Sequence, residues 1–262
     1  MNQRILAVGH YSSAYIHVVI TVFMVMAGVN FVLYYKLLTG RFKDLRKDTE
    51  LKSYIGIYII ATLMIAFNLY GKEIYQSFGE SLQFASFQSA SIITTTGYAT
   101  ADFAKWPMFS QVMLFILMFI GGCSGSTGGG IKVVRIATLF KQGINEMKYL
   151  LHPRGIFSIK INGEKVKKDI LYAISGFVFL YLFLLLITTI VVATGGYNIV
   201  TSITTALATV GNIGPGFGKI GPVENYAFFP NYIKWFLSFA MMAGRLEVYT
   251  VLVILTPQFW KK

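Results

Sequence analysis

The chain has 262 residues, 55% of them hydrophobic and only 13% charged, and a mean hydropathy of +0.61. Soluble globular domains carry about 25% charged residues, so an ordinary soluble domain is excluded. The net charge of +12 suggests a nucleic-acid partner only until the charges are located. They collect in the stretches between apolar runs, where they report topology, and no nucleic-acid partner is expected.

Taken in chain order, apolar runs occupy residues 14–38, 53–70, 107–122, 169–194 and 231–256. Each approaches or exceeds the ~20 residues that a helix needs to cross a bilayer. They predict five spans, the third continuing through a glycine-rich stretch into 133–140. Residues 36–52 and 131–168 and the C-terminus hold 17 of the 23 Lys and Arg. Arg4, Lys72, Lys105 and Lys219 lie in the alternate loops, and Lys234 and Arg245 fall within the last run. Cytoplasmic loops are rich in Lys and Arg, so the N-terminus is predicted outside and the C-terminus in the cytoplasm. The sole cysteine, Cys123, excludes an internal disulfide and a cysteine metal cluster. No secretory signal peptide is expected at the first residues.

A repeat runs through the chain. Aligning Gly97 with Gly211 lays Ser91-Ile-Ile-Thr-Thr-Thr-Gly-Tyr98 over Thr205-Ala-Leu-Ala-Thr-Val-Gly-Asn212. Each stretch follows a span and a short amphipathic segment, 76–94 or 197–208, and precedes another span. The first segment, with Gln76, Glu80, Gln83 and Gln88, is too polar to face lipid, and irregular backbone at membrane depth must be buried in protein or line water. Both are read as half-helices that enter and leave the same side; extracellular loops are the alternative. Phe23-Met-Val-Met-Ala-Gly28, Phe115-Ile-Leu-Met-Phe-Ile-Gly121 and Phe239-Ala-Met-Met-Ala-Gly244 mark three copies of the following helix. The predicted fold is therefore an all-α membrane protein of helix–pore loop–helix repeats. Residues 1–38 are the second helix of an otherwise missing repeat, 53–140 and 169–262 are complete repeats, and 39–52 and 141–168 are cytoplasmic loops.

Potassium gives up its hydration water where rings of backbone carbonyls, backed by threonine hydroxyls, replace it. Glycine supplies the backbone angles that aim successive carbonyls inward. Thr95, Thr96, Gly97 and Tyr98 form one candidate filter strand, and Thr209, Val210, Gly211 and Asn212 the other. Potassium at these residues is the only metal expected, as transported substrate, and no cofactor is expected. A Thr-x-Gly triplet alone is weak evidence; the repeated half-helix before it gives it meaning.

Four further stretches complete the pattern: Gly121-Gly-Cys-Ser-Gly-Ser-Thr-Gly-Gly-Gly-Ile-Lys132, Asn212-Ile-Gly-Pro-Gly216, Ala243-Gly-Arg-Leu-Glu247 and Leu255-Thr-Pro-Gln-Phe-Trp260. With Ser91–Thr100 they resemble the Trk-type potassium uptake transmembrane subunits of the Trk/Ktr/HKT superfamily. The resemblance implies four repeats around one pore, of which this sequence supplies the C-terminal portion. It implies a flexible intramembrane gate loop made of Gly121, Gly122, Ser124, Gly125, Ser126, Thr127, Gly128, Gly129 and Gly130, with Lys132 in the gating region. It also places Arg245 at the pore next to the filter. The partners expected are membrane lipid, a second copy in a homodimer, and a cytosolic nucleotide-binding regulatory subunit docking on 141–168.

The residues themselves leave alternatives beside these roles. Glycine costs about 1 kcal/mol per helical position, so 121–130 should not stay helical; a close helix-packing face is the other reading. Lys132 and Arg135 equally suit anchors at a cytoplasmic boundary. A charge inside a span is a functional candidate, yet Arg245, with Glu247 two residues on, also suits a structural ion pair. Asn30 reads as a helix–helix contact, His17 as an interfacial residue and Cys123 as a packing residue. Gly216–Gly221 and Gly125–Gly130 mimic nucleotide loops without the strand-loop-helix context those motifs need. His10, His17 and His152 are scattered and no nucleophile is paired with a base, so no catalytic residue is assigned and an enzyme is not expected. The alternative functions are a two-loop cation channel that dimerises, and a sodium-conducting or sodium-coupled member of the superfamily. Inverted repeats of a secondary transporter would give the two units opposite orientations, which the charge pattern opposes.

Overall fold

The computed structural model describes residues 8–11, 13–155, 157–246 and 248–260. Short polar caps decide where the apolar runs become helices. α1 (Ala14–Ala27) ends at Gly28, and α2 (Phe31–Leu38) restarts from Asn30, whose side-chain oxygen accepts from the Val32 N–H at 2.9 Å. The two helices meet at 97°. α3 (Phe42–Lys47) and α4 (Thr49–Gly71) follow, with the Asp48 carboxylate accepting from the Leu51 N–H at 2.8 Å. The stretch 39–52, expected as loop, thus holds a short helix and the start of a long one.

α5 (Phe78–Ile93) starts from Ser77, whose hydroxyl accepts from the Glu80 N–H, while the Glu80 carboxylate accepts from the Gln76 N–H. Reciprocal capping of this kind satisfies two of the free N–H groups at a helix start. A 16-residue helix is about 24 Å long, short of the ~30 Å hydrocarbon core. Its polar residues face protein: Ser81, Gln88, Ser89 and Ser91 are fully buried as α5 packs among α1, α4 and α6 (Met108–Met118). Gln88 donates to the Ala101 carbonyl at 3.2 Å and Ser91 to that of Tyr98 at 2.6 Å, while the Ser81 and Ser89 hydroxyls, among the described residues, have no hydrogen-bond partner.

α7 (Val133–Leu151) runs on well beyond residue 140, into the segment expected as loop. A hairpin of β1 (Lys160–Ile161) and β2 (Glu164–Lys165) then turns through Asn162 and Gly163, both left-handed at φ +52° and +86°. An Asn-Gly pair is the preferred chemistry for such a turn. α8 (Lys168–Ala193) packs on α9 (Ile199–Val210), which lies against α10 (Asn231–Arg245); α11 (Val248–Leu255) and α12 (Pro257–Trp260) complete the order. α7 is tied to α8 by the Arg135 guanidinium, 3.8 Å from the Phe177 ring centroid, within cation–π range.

The spans differ from expectation in one respect. Among the described residues, only α4 and α8 are single helices long and apolar enough to cross a membrane, and α1 with α2 makes a bent pair. The third and fifth runs are interrupted too, between α6 and α7 and between α10 and α11. The interruptions of the first and third runs satisfy one another. The Gly28 carbonyl accepts from the Cys123 N–H at 2.8 Å, the Gly125 carbonyl from the Phe31 N–H at 3.2 Å, and the Ala27 carbonyl from the Thr127 hydroxyl at 3.3 Å. Broken backbone survives at membrane depth on that condition.

Candidate ion site and the loop beside it

α5 and α9 end alike. After α5, Thr94 is still right-handed (φ −89°), Thr95 turns to φ +54° and Gly97 to φ +77°. After α9, Gly211 is still right-handed (φ −73°), Asn212 turns to φ +54° and Gly214 to φ +103°. Hydrogen bonds follow the same rule. The N–H groups of Thr96 and Gly97 both reach the Ser91 carbonyl, at 2.9 and 3.4 Å. Those of Ile213 and Gly214 both reach the Ala208 carbonyl, at 2.8 and 3.3 Å. Gly214, not Gly211, therefore stands where Gly97 stands.

The register of the second turn thus differs from that of the sequence alignment. Thr209 and Val210 lie in the last turn of α9, and Gly211 caps it. The residues matching Thr95, Thr96, Gly97 and Tyr98 are Asn212, Ile213, Gly214 and Pro215. Asn212 alone belongs to both versions. The misalignment came from the Thr-x-Gly triplet; aligning helix ends would have found the register, because Gly214 lies within the quoted Asn212–Gly216 motif.

The two turns meet. A Cβ on Gly97 would strike the Ile213 carbonyl oxygen, so only glycine allows that approach, and its φ favours glycine as well. Hydroxyls fix the strands from their sides: Ser91 donates to the Tyr98 carbonyl and Tyr226 to that of Gly214, each at 2.6 Å.

The loop 121–130 is irregular, as its composition predicts, and sits against both turns. Its Gly129 N–H donates to the Thr95 hydroxyl at 2.8 Å, and a Cβ at Gly129 would strike the Gly211 carbonyl. Lys132 donates to the Gly128 carbonyl and Arg245 to that of Thr127. The structure thus gathers the loop, Lys132 and Arg245 at the ends of α5 and α9. Glu247, weighed as a partner for Arg245, lies outside the described residues. Glu50 completes the set: its carboxyl oxygen accepts from the Ser124 N–H at 2.6 Å and the Val134 N–H at 3.3 Å. Sequence reading missed it, because an acidic residue in a first helical turn is the ordinary partner of the helix dipole.

Two smaller expectations change. His17 is buried rather than interfacial, its ring nitrogens 2.9 Å from the Tyr11 carbonyl and the Gln83 amide. Asn30 caps α2, and its amide abuts Gly125.

Buried half-helices ending in turns that meet, framed by broken spans, define a polytopic α-helical membrane protein. The chain belongs to the TrkH family of cation transport proteins, whose profile matches residues 7–262. It is 38% identical over 257 residues to the Trk system potassium uptake protein TrkH of Salmonella typhimurium and 36% to that of Escherichia coli K12. Both matches cover 98% of this chain and 53% of the relative. The crystal structure of the potassium transporter TrkH from Vibrio parahaemolyticus matches with a TM-score of 0.90 at 34% identity, over 98% of this chain and 55% of that one. The chain spans about half the length of the curated relatives it matches. These relatives are transporters, not enzymes.

Proposed function

We propose that this chain supplies part of a potassium-conducting pore, with the turns 95–98 and 212–215 as two adjoining strands of its filter. The observation that carries this reading is the close approach of Gly97 to Ile213 between two turns of matching backbone geometry. Each turn follows the C-terminal end of a buried helix, where the helix dipole is negative and favours a cation. A filter needs carbonyls all round the ion. The rest of the ring comes from polypeptide beyond these residues, another half as in the relatives or a second copy in a homodimer.

The loop 121–130 acts as the gate. Arg245 and Lys132 hold its carbonyls, and Thr95 links it to the filter strand. Lipid surrounds α4 and α8. The basic stretch 141–168, with α7 and the exposed hairpin, is the surface for a cytosolic nucleotide-binding regulatory subunit. Potassium uptake is the activity named for the relatives, and a carbonyl filter suits it.

The test is ionic selectivity of the assembled protein in lipid bilayers. Gly97→Ser and Gly214→Ser should each lower potassium permeability relative to sodium, since a side chain at these positive φ angles costs about 1–3 kcal/mol. Gly211→Ser, at a right-handed helix cap, should change the ratio less. Reversal potentials that respond to Gly211 and not to Gly214 would overturn the assignment.

A further inference from the structure

Glu50 is only 7% exposed, and its two backbone partners come from distant sequence. Ser124 and Val134 lie 74 and 84 residues away, one within the loop 121–130 and one in the first turn of α7. The Val134 N–H is among those a helix cannot satisfy internally, so one carboxyl oxygen joins the loop to the helix that follows it. The two residues before Glu50 are fastened from the other side. The Asn162 side-chain oxygen accepts from the Thr49 N–H at 2.6 Å, and the Asn162 N–H reaches the Thr49 hydroxyl at 3.2 Å. The Asn162 amide also donates to Asp48 at 3.1 Å, whose other oxygen caps α4. Three consecutive residues thus carry the exposed hairpin on one side and the intramembrane loop on the other.

We propose that Asp48, Thr49 and Glu50 form a latch: Glu50 is a positioning residue that holds the loop 121–130 in its packed conformation, and the hairpin turn at Asn162 holds Glu50. The importance of the latch for transport rests on the reading of that loop as the gate. A buried carboxyl group accepting two N–H bonds is a strong anchor, and removing it takes away the one group that joins the exposed Ser124 to the half-buried Val134, a loss of two hydrogen bonds at once. The loop is then released from the start of α7. Displacing the hairpin shifts the same anchor through Thr49.

Cys123 provides the readout, because it is the sole cysteine of these 262 residues, is buried and precedes Ser124; the labelled Cys123 peptide is quantified by mass spectrometry. The complete assembly in liposomes is treated with a soluble thiol reagent, and modification of Cys123 is followed together with potassium flux and thermal midpoint. Glu50→Ala should raise the labelling rate roughly ten-fold. Glu50→Asp, one methylene too short for both N–H groups, should do likewise and carries the test if the alanine variant fails to assemble. Glu50→Gln keeps an acceptor oxygen and should stay within about two-fold of the unaltered protein, with Asn162→Ala in between. Unchanged labelling in Glu50→Asp overturns the latch, as does Glu50→Gln labelling as fast as Glu50→Ala. Asn162→Ala at the unaltered rate overturns the hairpin's part in it. Faster labelling with unchanged flux supports the latch and counts instead against the gate.

Discussion

Gly244 marks a place where two backbones touch. A Cβ there would run into the Val210 carbonyl oxygen at the end of α9. That contact sets α10 against α9 and so places the next residue, Arg245, within reach of the Thr127 carbonyl. Gly28 and Gly121, which close the two related Phe-to-Gly stretches, are equally confined, by the Tyr54 hydroxyl and the Gly129 carbonyl. Gly244→Ala should destabilise the protein by about 1–3 kcal/mol through overpacking, seen as a lower thermal midpoint in detergent; an unchanged midpoint would count against the contact. The three glycines were legible as a motif in the middle of spans. Beyond the place of Gly121 at the start of a non-helical loop, their close contacts were not, because what each one touches lies in another segment.

At the scale of elements, the broken spans depend on one another. The loop 121–130 supplies an N–H to Gly28, a carbonyl to Phe31 and a hydroxyl to Ala27, while Thr95 and Glu50 hold two of its own N–H groups. Deleting two residues from the loop would break several of these bonds together, and basal potassium flux through the assembled protein should rise; flux equal to that of the unaltered protein would remove the gate reading. The half-helices show where sequence reading reached its limit. Their polarity and position were visible, and α5 and α9 fall close to the expected segments. The end of α9 was not visible. Thr209 spends its hydroxyl on the Thr205 carbonyl at 2.7 Å, an internal helix bond open to any threonine. A threonine that lines a pore and one that bonds within its helix look the same in sequence.

Across the whole molecule, charge and hydropathy make a prediction about sidedness. The hairpin lies in the strongly basic stretch 131–168, and Lys219 lies in a sparsely charged one; the bias of Lys and Arg toward cytoplasmic loops puts the two on opposite sides. In a Cys123→Ser background, a cysteine at Gly163 should react with an impermeant thiol reagent only from the cytoplasmic side, and one at Lys219 only from outside. Labelling of both from one side would contradict the topology. Both positions are exposed, so access depends on sidedness alone.

The sequence by itself determined that this is a helical membrane protein of the Trk type, and roughly where its spans and half-helices lie. Apolar length, loop charge and short motifs are local properties, and each can be read without knowing what packs where. Only the tertiary structure decided that the first and last runs are broken as well as the glycine-rich one, that the turn at Gly214 has the backbone geometry of the turn at Gly97, and that Glu50 holds the loop. The reason is the same each time: a backbone group at membrane depth must find a partner, and here the partners lie in other segments, 74 residues away for Glu50 and Ser124 and 118 for Arg245 and Thr127.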